Sequence, residues 1–155
     1  MTFEELYRRH VGEVRRFALY LSGDPAEAED IASETFIRAW VADAPGRAQT
    51  LRAYLFTIAR NLHRKGHRRA RIGAAILADM PGAAPDLETE LAGASELRAV
   101  LARLQTLPEI DRAVLLMRAF HDMPYAEIAA SLGISVASAK VKVHRARAIL
   151  EIHRS

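Results

Sequence analysis

Apolar residues along this chain recur at intervals of three and four, the period of an amphipathic helix, and the polar residues fall between them. Phe3, Leu6, Tyr7, His10, Val11, Val14, Phe17, Ala18 and Leu21 form a first such stripe, with Arg8, Arg9, Arg15 and Arg16 outside it. Ser22 and Gly23 interrupt the pattern. Asp24, Pro25 and Glu27 then suit a helix start: a capping carboxylate, a proline at the first helical position and a capping-box glutamate. In this second helix Ala28, Ile31, Ala32, Thr35, Phe36, Ala39 and Trp40 face the core, and Glu27, Asp30, Glu34 and Arg38 share the opposite side. Asp43 to Thr50 reads as a loop, and Thr50 as the cap of a third helix. There Leu51, Tyr54, Leu55, Ile58 and Leu62 point inward, while Arg52, Phe56, Arg60, His63, Arg64 and His67 point elsewhere; Gly66 ends or weakens the helix. Ser95 caps a fourth helix carrying Leu97, Val100, Leu101 and Leu104, which Leu107-Pro108 ends. A fifth runs from Glu109 to Phe120 with Ile110, Val114 and Met117 inward.

The stretch Pro124 to Arg147 has the pattern of a helix-turn-helix. Ala126, Ile128, Ala129 and Leu132 give a first helix one small, apolar face. Gly133 follows where the chain must turn, since a residue without a Cβ takes a positive φ freely. Ile134 plugs the corner, and the Ser135 hydroxyl can accept an orphan N–H of the second helix. Val136, Ala139, Val143, Ala146 and Leu150 are the inward set of that helix. Ala137, Ser138, Val141, Lys142 and Arg145 then face outward, with Lys140, His144 and Arg147 toward the edges. A small, basic outer face is what entry into a DNA major groove requires. The other reading of the same pattern is a helical hairpin with a solvated basic face.

Charge divides the chain into blocks. Residues 1–71 hold 13 Lys+Arg against 9 Asp+Glu, residues 72–94 hold no Lys or Arg and 4 acids, and residues 95–155 hold 9 against 6. The segment 72–94 also contains Pro81, Gly82 and Pro85 and reads as a flexible acidic linker. The expected architecture is therefore all-α. A domain over 1–71 and a helix-turn-helix domain over 95–155 are joined by that tether, which suits two contacts to nucleic acid. In the third helix a basic face with an aromatic suits single-stranded nucleic acid, cations tracking phosphate while Phe56 stacks or wedges against a base. Packing of Phe56 on a neighbouring helix is an equal alternative. The acidic face of the second helix fits either simple solubility or docking to a basic partner.

Other chemistries find little support. The chain contains no cysteine, so neither a disulfide framework nor a thiolate metal site is expected. His63 and His67 stand four apart without a carboxylate or thiolate nearby in sequence, too few ligands for a metal. No nucleophile–base pair, metal cluster or glycine-rich phosphate loop is present, so no enzyme activity, cofactor or metal is expected. The first 21 residues are amphipathic rather than a signal peptide, and no stretch is long enough to span a bilayer; a cytoplasmic protein without membrane insertion is expected.

Taken in order, these stretches resemble the bacterial RNA polymerase sigma factors of the extracytoplasmic-function (ECF) class of the sigma-70 family, over nearly the whole chain. Residues 24–40, DPAEAEDIASETFIRAW, look like the segment that docks on the clamp coiled coil of the polymerase largest subunit; the resemblance assigns Glu27, Asp30, Glu34 and Arg38 to docking. Residues 51–69, LRAYLFTIARNLHRKGHRR, look like the segment that melts and reads the promoter −10 element, implying roles for Arg52, Phe56, Arg60, Asn61, Arg64, Arg68 and Arg69. Residues 108–147 look like the segment that reads the −35 duplex, through Ser135, Ala137, Ser138, Lys140, Val141, Lys142, His144, Arg145 and Arg147. Ser138-Ala139 and Val141-Lys142 stand where the family commonly has Thr-Val and Ser-Arg. The implied partners are core RNA polymerase, promoter DNA (duplex at −35, single-stranded at −10) and an anti-sigma factor. Two rivals stand beside this reading: a stand-alone helix-turn-helix regulator, which leaves the second and third helices unused, and a sigma-mimicking decoy for an anti-sigma factor, which has no need of the DNA-facing basic residues.

Overall fold

The N-terminal half begins with a capping box. In the computed structural model the Thr2 hydroxyl accepts from the Glu5 N–H while the Glu5 carboxylate accepts from the Thr2 N–H, starting α1 (Phe3–Ser22). The helix ends at Gly23, whose φ of 72° lets its N–H reach back to the Leu19 carbonyl. The Asp24 carboxylate then accepts from the Ala26 and Glu27 N–H groups and opens α2 (Pro25–Ala42). Thr50 caps α3 (Leu51–Leu77) through the Ala53 N–H. The chain is described over residues 2–42, 50–77 and 95–154, the side chains of 67–77 and 152–154 excepted. The loop over 43–49, the linker over 78–94 and the side chains of His67, Arg68 and Arg69 lie outside the described residues.

The C-terminal half comprises α4 (Ser95–Leu104), α5 (Glu109–Leu115) with a π-helical turn at its end (Leu116–Phe120), α6 (Tyr125–Leu132) and α7 (Val136–Arg154). The described residues are all-α, as the periodicity predicts. Gly133 has φ 67° and donates to the Ala129 carbonyl, and the Ser135 hydroxyl accepts from the Ser138 N–H, so both expected devices of the helix-turn-helix are present. The expected fifth helix does not reach Phe120 as α-helix: its last turn widens, and the His121 N–H bonds to the Leu116 carbonyl.

α1, α2 and α3 pack on one another, α5 and α6 pack on α7, and the two sets meet. α1 touches α4, α5 and the π-helical turn, and α3 touches α6, so buried residues of both halves form one continuous cluster. Two of these contacts satisfy the carbonyls at the end of α1, which have no intrahelical partner. Arg112 Nη1 donates to the Leu21 carbonyl at 2.5 Å, and the Gln105 side-chain amide donates to the Tyr20 and Leu21 carbonyls at 3.4 and 3.2 Å.

This meeting corrects the expected rotation of α3. Phe56, Arg60 and His63 are buried, not outward. One stripe suffices for a helix covered on one side, but α3 is covered by α1 and α2 on one side and by the C-terminal half on another. The helix also runs through Gly66 to Leu77 instead of ending near the glycine. Trp40 is 47% exposed and Val136 38%, where both were expected inside; each lies near the end of its helix. Ala126 is exposed as well.

Candidate nucleic-acid interface

The outer side of α2 forms one wall of a groove of about 840 Å³, with Asp24, Glu27, Asp30, Glu34 and Arg38 along it and Leu62 and Gly66 of α3 opposite. Its charges are unequal in freedom. Glu27 Oε1 lies 2.9 Å from Nδ1 of the buried His63, tying this wall to α3. Arg38 Nε donates to Glu34 at 3.0 Å, an exposed pair one helical turn apart and therefore of small energetic weight. Asp30 is exposed. Ile37, itself part of the groove lining, and Trp40 and Val41 leave apolar surface in solvent, with Phe3 edge-on to Trp40 at 5.9 Å between ring centroids.

The basic residues expected to act together on α3 are separated by the fold. Asn61 and Arg64 are exposed, as is Lys65. Arg52 is half-buried, 3.9 Å from Glu13. Arg60 makes a two-pronged pair with Glu109 of α5, at 2.9 and 2.8 Å. Phe56 is stacked on Phe17 at 4.5 Å and meets the edge of His121 at 4.6 Å, so it has no surface to offer a base in this arrangement.

His121 belongs to this aromatic core, and burial drives its pKa down to about 4, with the positive charges of Arg52 and Arg16 adding to the shift. It is neutral in the folded protein at pH 7. An unfolded chain takes up a proton at this position as pH falls below the ordinary value of 6.5, whereas the folded chain resists until about 4. Stability therefore decreases as pH drops through that window, by up to about 3 kcal/mol, and this group adds no further loss below it. His121→Phe is expected to remove that part of the slope while His10, also shifted down by burial, retains its own. Urea midpoints at pH 7, 5.5 and 4.5 for both proteins measure the difference; identical slopes would refute it.

On α7, Ala139, Val143 and Ala146 are buried, which orients the remaining faces. Ser135, Ala137, Lys140, Val141, His144, Arg145 and Arg147 are exposed, and Ser138 and Lys142 half-buried. Lys142 Nζ donates to the Ser138 hydroxyl at 3.1 Å, one turn away, so these two polar groups lie together. Arg145 is bound differently: its Nε and Nη2 donate at 2.8 and 2.9 Å to both oxygens of Asp111, which is fully buried on α5. The hydrogen bond and the charge of Asp111 hold the guanidinium above its usual pKa. A two-pronged clamp of this kind fixes the helix as much as it presents a cation. At the start of α6 the Arg118 guanidinium lies 4.5 Å from the Tyr125 ring centroid and Lys140 Nζ lies 5.8 Å from it.

Sequence reasoning passed over Asp111, Arg112, Arg118 and Tyr125. Asp111 and Arg145 are 34 positions apart, and Arg112 reaches carbonyls on both sides of the molecule; no local period carries either signal. Among the described residues no group of three or more metal-ligating side chains occurs, and no helix is long and apolar enough to cross a membrane.

Comparison with known proteins extends over both halves. Residues 6–72 match the family described as sigma-70 region 2, and residues 97–150 match sigma-70 region 4. The chain is 33% identical over 148 residues to the ECF RNA polymerase sigma factor SigL of Mycobacterium tuberculosis (strain ATCC 25618 / H37Rv), covering 91% of this chain and 82% of that protein. It is 35% identical over 149 residues to the ECF RNA polymerase sigma factor EcfG of Rhodopseudomonas palustris (strain TIE-1), covering 90% and 78%. The fold is similar to that of CnrH solved in complex with the cytosolic domain of CnrY, with a TM-score of 0.74, 28% identity and coverage of 97% of this chain and 85% of that one.

Proposed function

This chain belongs to the ECF sigma factors of RNA polymerase, and from that premise we propose how its surfaces divide the work of starting transcription at a promoter. The groove wall of α2 docks on core polymerase through Asp30 and Glu34, with Glu27 and Arg38 at its margins. α3 presents Arg52, Asn61 and Arg64, and further along Arg68 and Arg69, to the separated −10 strand; Arg60 joins them once the C-terminal half moves away, while Phe56 stays stacked on Phe17 of α1. α7 enters the −35 major groove. The protein carries out no covalent chemistry and acts in the cytoplasm. Residues 1–71 and 95–155 serve as the two working domains, with 72–94 between them. An anti-sigma factor is a further proposed partner, a reading supported by the likeness to CnrH bound to part of CnrY.

The observation that carries this reading is the capped helix-turn-helix whose second helix buries Ala139, Val143 and Ala146 and leaves a small, basic outer face. It is tested by RNA synthesis from a promoter library with core polymerase and the purified chain. Synthesis dependent on the chain is expected. The double substitution D30K/E34K should lower affinity for core several-fold while the variant remains folded, because like charges then meet a basic partner surface. Unchanged affinity would move the docking face elsewhere.

The same library, randomised at −35, separates base reading from phosphate contact. Lys142→Ala is expected to change the preferred −35 sequence, at about 1–3 kcal/mol per lost base contact. Arg147→Ala should weaken all promoters alike and flatten the salt dependence, the signature of a lost phosphate contact. A uniform loss in the Lys142 variant would assign base reading to Ser138 and Val141 or to DNA shape.

A further inference from the structure

Four arginines stand on the outer face of α1 around a single glycine. In the segment RRHVGEVRR, Arg8, Arg9, Arg15 and Arg16 lie three and four positions before and after Gly12, the spacing of neighbours on a helix surface. All five residues are exposed. The two arginine pairs are separated by two turns, about 10 Å along the axis, so the face carries two rows of guanidiniums. Gly12 serves no packing: a Cβ there would meet nothing within 4 Å among the described residues. A glycine inside a helix weakens it relative to alanine, and no contact within the chain offsets that loss. What the glycine provides is a spot without a side chain, ringed by four cations, where a partner can reach the helix backbone. The cations are largely available. Arg15 Nε lies 3.1 Å from Glu29, an exposed pair of small weight, and among the described residues Arg8, Arg9 and Arg16 have no ion-pair partner. Of the acids on α1, Glu4 and Glu5 lie in the first turn, where Glu5 closes the capping box, and Glu13 faces His10 and Arg52.

This face runs on into the start of α3. Arg52 lies 3.9 Å from Glu13 of α1. After burial, the positive charges of Arg9 and Arg52 help to lower the pKa of His10, and those of Arg52 and Arg16 that of His121. Arg9, Arg16 and Arg52 therefore stand along one seam between the two helices. We propose that the arginine face of α1 carries phosphates of the promoter strand, extending onto α1 the path that begins on α3, with Gly12 as the point of closest approach. This rests on the reading of α3 given above. Charge and shape identify the occupant. Guanidiniums bind phosphate in two prongs and stay charged at any working pH. Rows of cations on a rigid helix suit the repeated anion of a nucleic-acid backbone, which such contacts hold in register without reading bases. An acidic protein surface would leave Gly12 unused, since a carboxylate at the end of a side chain meets a guanidinium without approaching the helix axis. A continuous sugar–phosphate chain must instead lie against the helix for several phosphates to meet both rows at once, and the missing Cβ admits it.

The test is binding of the reconstituted holoenzyme to a promoter fragment from the library above, pre-melted over its −10 segment, across a range of salt concentrations. The variant R8Q/R9Q/R15Q/R16Q is expected to make the logarithmic salt dependence shallower by about 1.4 or more, two lost contacts at ~0.7 for each single-strand phosphate. Lysine at the same four positions should restore most of the slope, because it keeps the charge. An unchanged slope in the glutamine variant would overturn the proposal. Gly12→Ala separates close approach from mere weakness of the helix. The free protein should then unfold at higher urea concentration, while the holoenzyme binds the fragment several-fold more weakly. A more stable variant that binds equally well would overturn the close approach. Affinity of the glutamine variant for core polymerase without DNA should match that of the parent. A loss there, with the salt slope intact, would overturn DNA as the occupant in favour of an acidic protein surface. The reading of α3 is checked by Arg64→Gln, which should lower the slope by itself. If it does not, while the α1 variant still does, the reading of α3 fails and the arginine face of α1 stands as a DNA surface.

Discussion

Phe56→Ala is expected to destabilise the protein by about 3–5 kcal/mol, the usual cost of removing a buried aromatic ring. The ring is fully buried, stacked on Phe17 and touched by His121, so its loss opens a cavity where α1, α3 and the π-helical turn meet. Relaxation around that cavity is restricted, because three separate elements would have to move together. Such a loss is a large fraction of the roughly 5–15 kcal/mol that holds a typical domain together. Urea titration measures it directly, and Phe56→Leu should recover most of the stability by refilling the volume. A change below about 1 kcal/mol would mean that the two halves are not packed in solution as described. The consequence for function is a loss of activity that a pre-melted template does not repair, since the variant fails through folding. Repair on the pre-melted template, with stability intact, would restore the role of a base-contacting wedge.

Arg112→Ala is expected to cost a similar amount by another route. The guanidinium is buried and donates to three carbonyls: Leu104 at 3.0 Å, Leu107 at 3.1 Å and Leu21 at 2.5 Å. It thereby closes the ends of α4 and α1 and the turn into α5 with one side chain. Removing it leaves the Leu107 carbonyl without its donor, at about 1–3 kcal/mol, and takes a charge-assisted bond worth about 1.5–3 kcal/mol from each of the Leu21 and Leu104 carbonyls, which keep the Gln105 amide and the Leu107 N–H, so a total of about 3–5 kcal/mol follows after partial rehydration. Arg112→Lys should rescue little, because a single ammonium lacks the fork that spans three acceptors. Denaturation midpoints of the three proteins give the comparison. A lysine variant as stable as the parent would show that the positive charge, and not the hydrogen-bond geometry, is what matters there. Burial also lowers the Arg112 pKa, a cost that its three acceptors offset and that a lysine would bear with fewer bonds.

Devices that act within a few residues of one another were readable before the fold was known. Asp24, Thr50, Gly133 and Ser135 all have the capping or turning roles their residue types suggest, because a cap is closed by backbone groups two to four positions away. The stripe of α1 was readable for the same reason: Leu6, Val14, Phe17, Ala18 and Leu21 are all buried, although Phe3 at its start stays 37% exposed. The resemblance to ECF sigma factors added what periodicity lacks, roles for faces that the pattern left open between solvation and binding.

Those parts of the candidate site that depend on groups distant in sequence were not readable. The sequence determined by itself that the chain is helical, where most helices begin and turn, and that a helix-turn-helix with a basic outer face stands near its C-terminal end. Only the tertiary structure decided which cations remain available. Arg60 and Arg145 look from their spacing like free ligands for DNA, yet each is held in two prongs by a carboxylate 49 and 34 positions away, Glu109 and Asp111, with Arg60 buried by it and Arg145 still exposed. Phe56 was equally undecided until α1 and the π-helical turn closed on it. The physical reason is that a helix with one covering neighbour shows one stripe, whereas a second neighbour buries residues whose partners lie far along the chain. Local periodicity records the first and holds no information about the second.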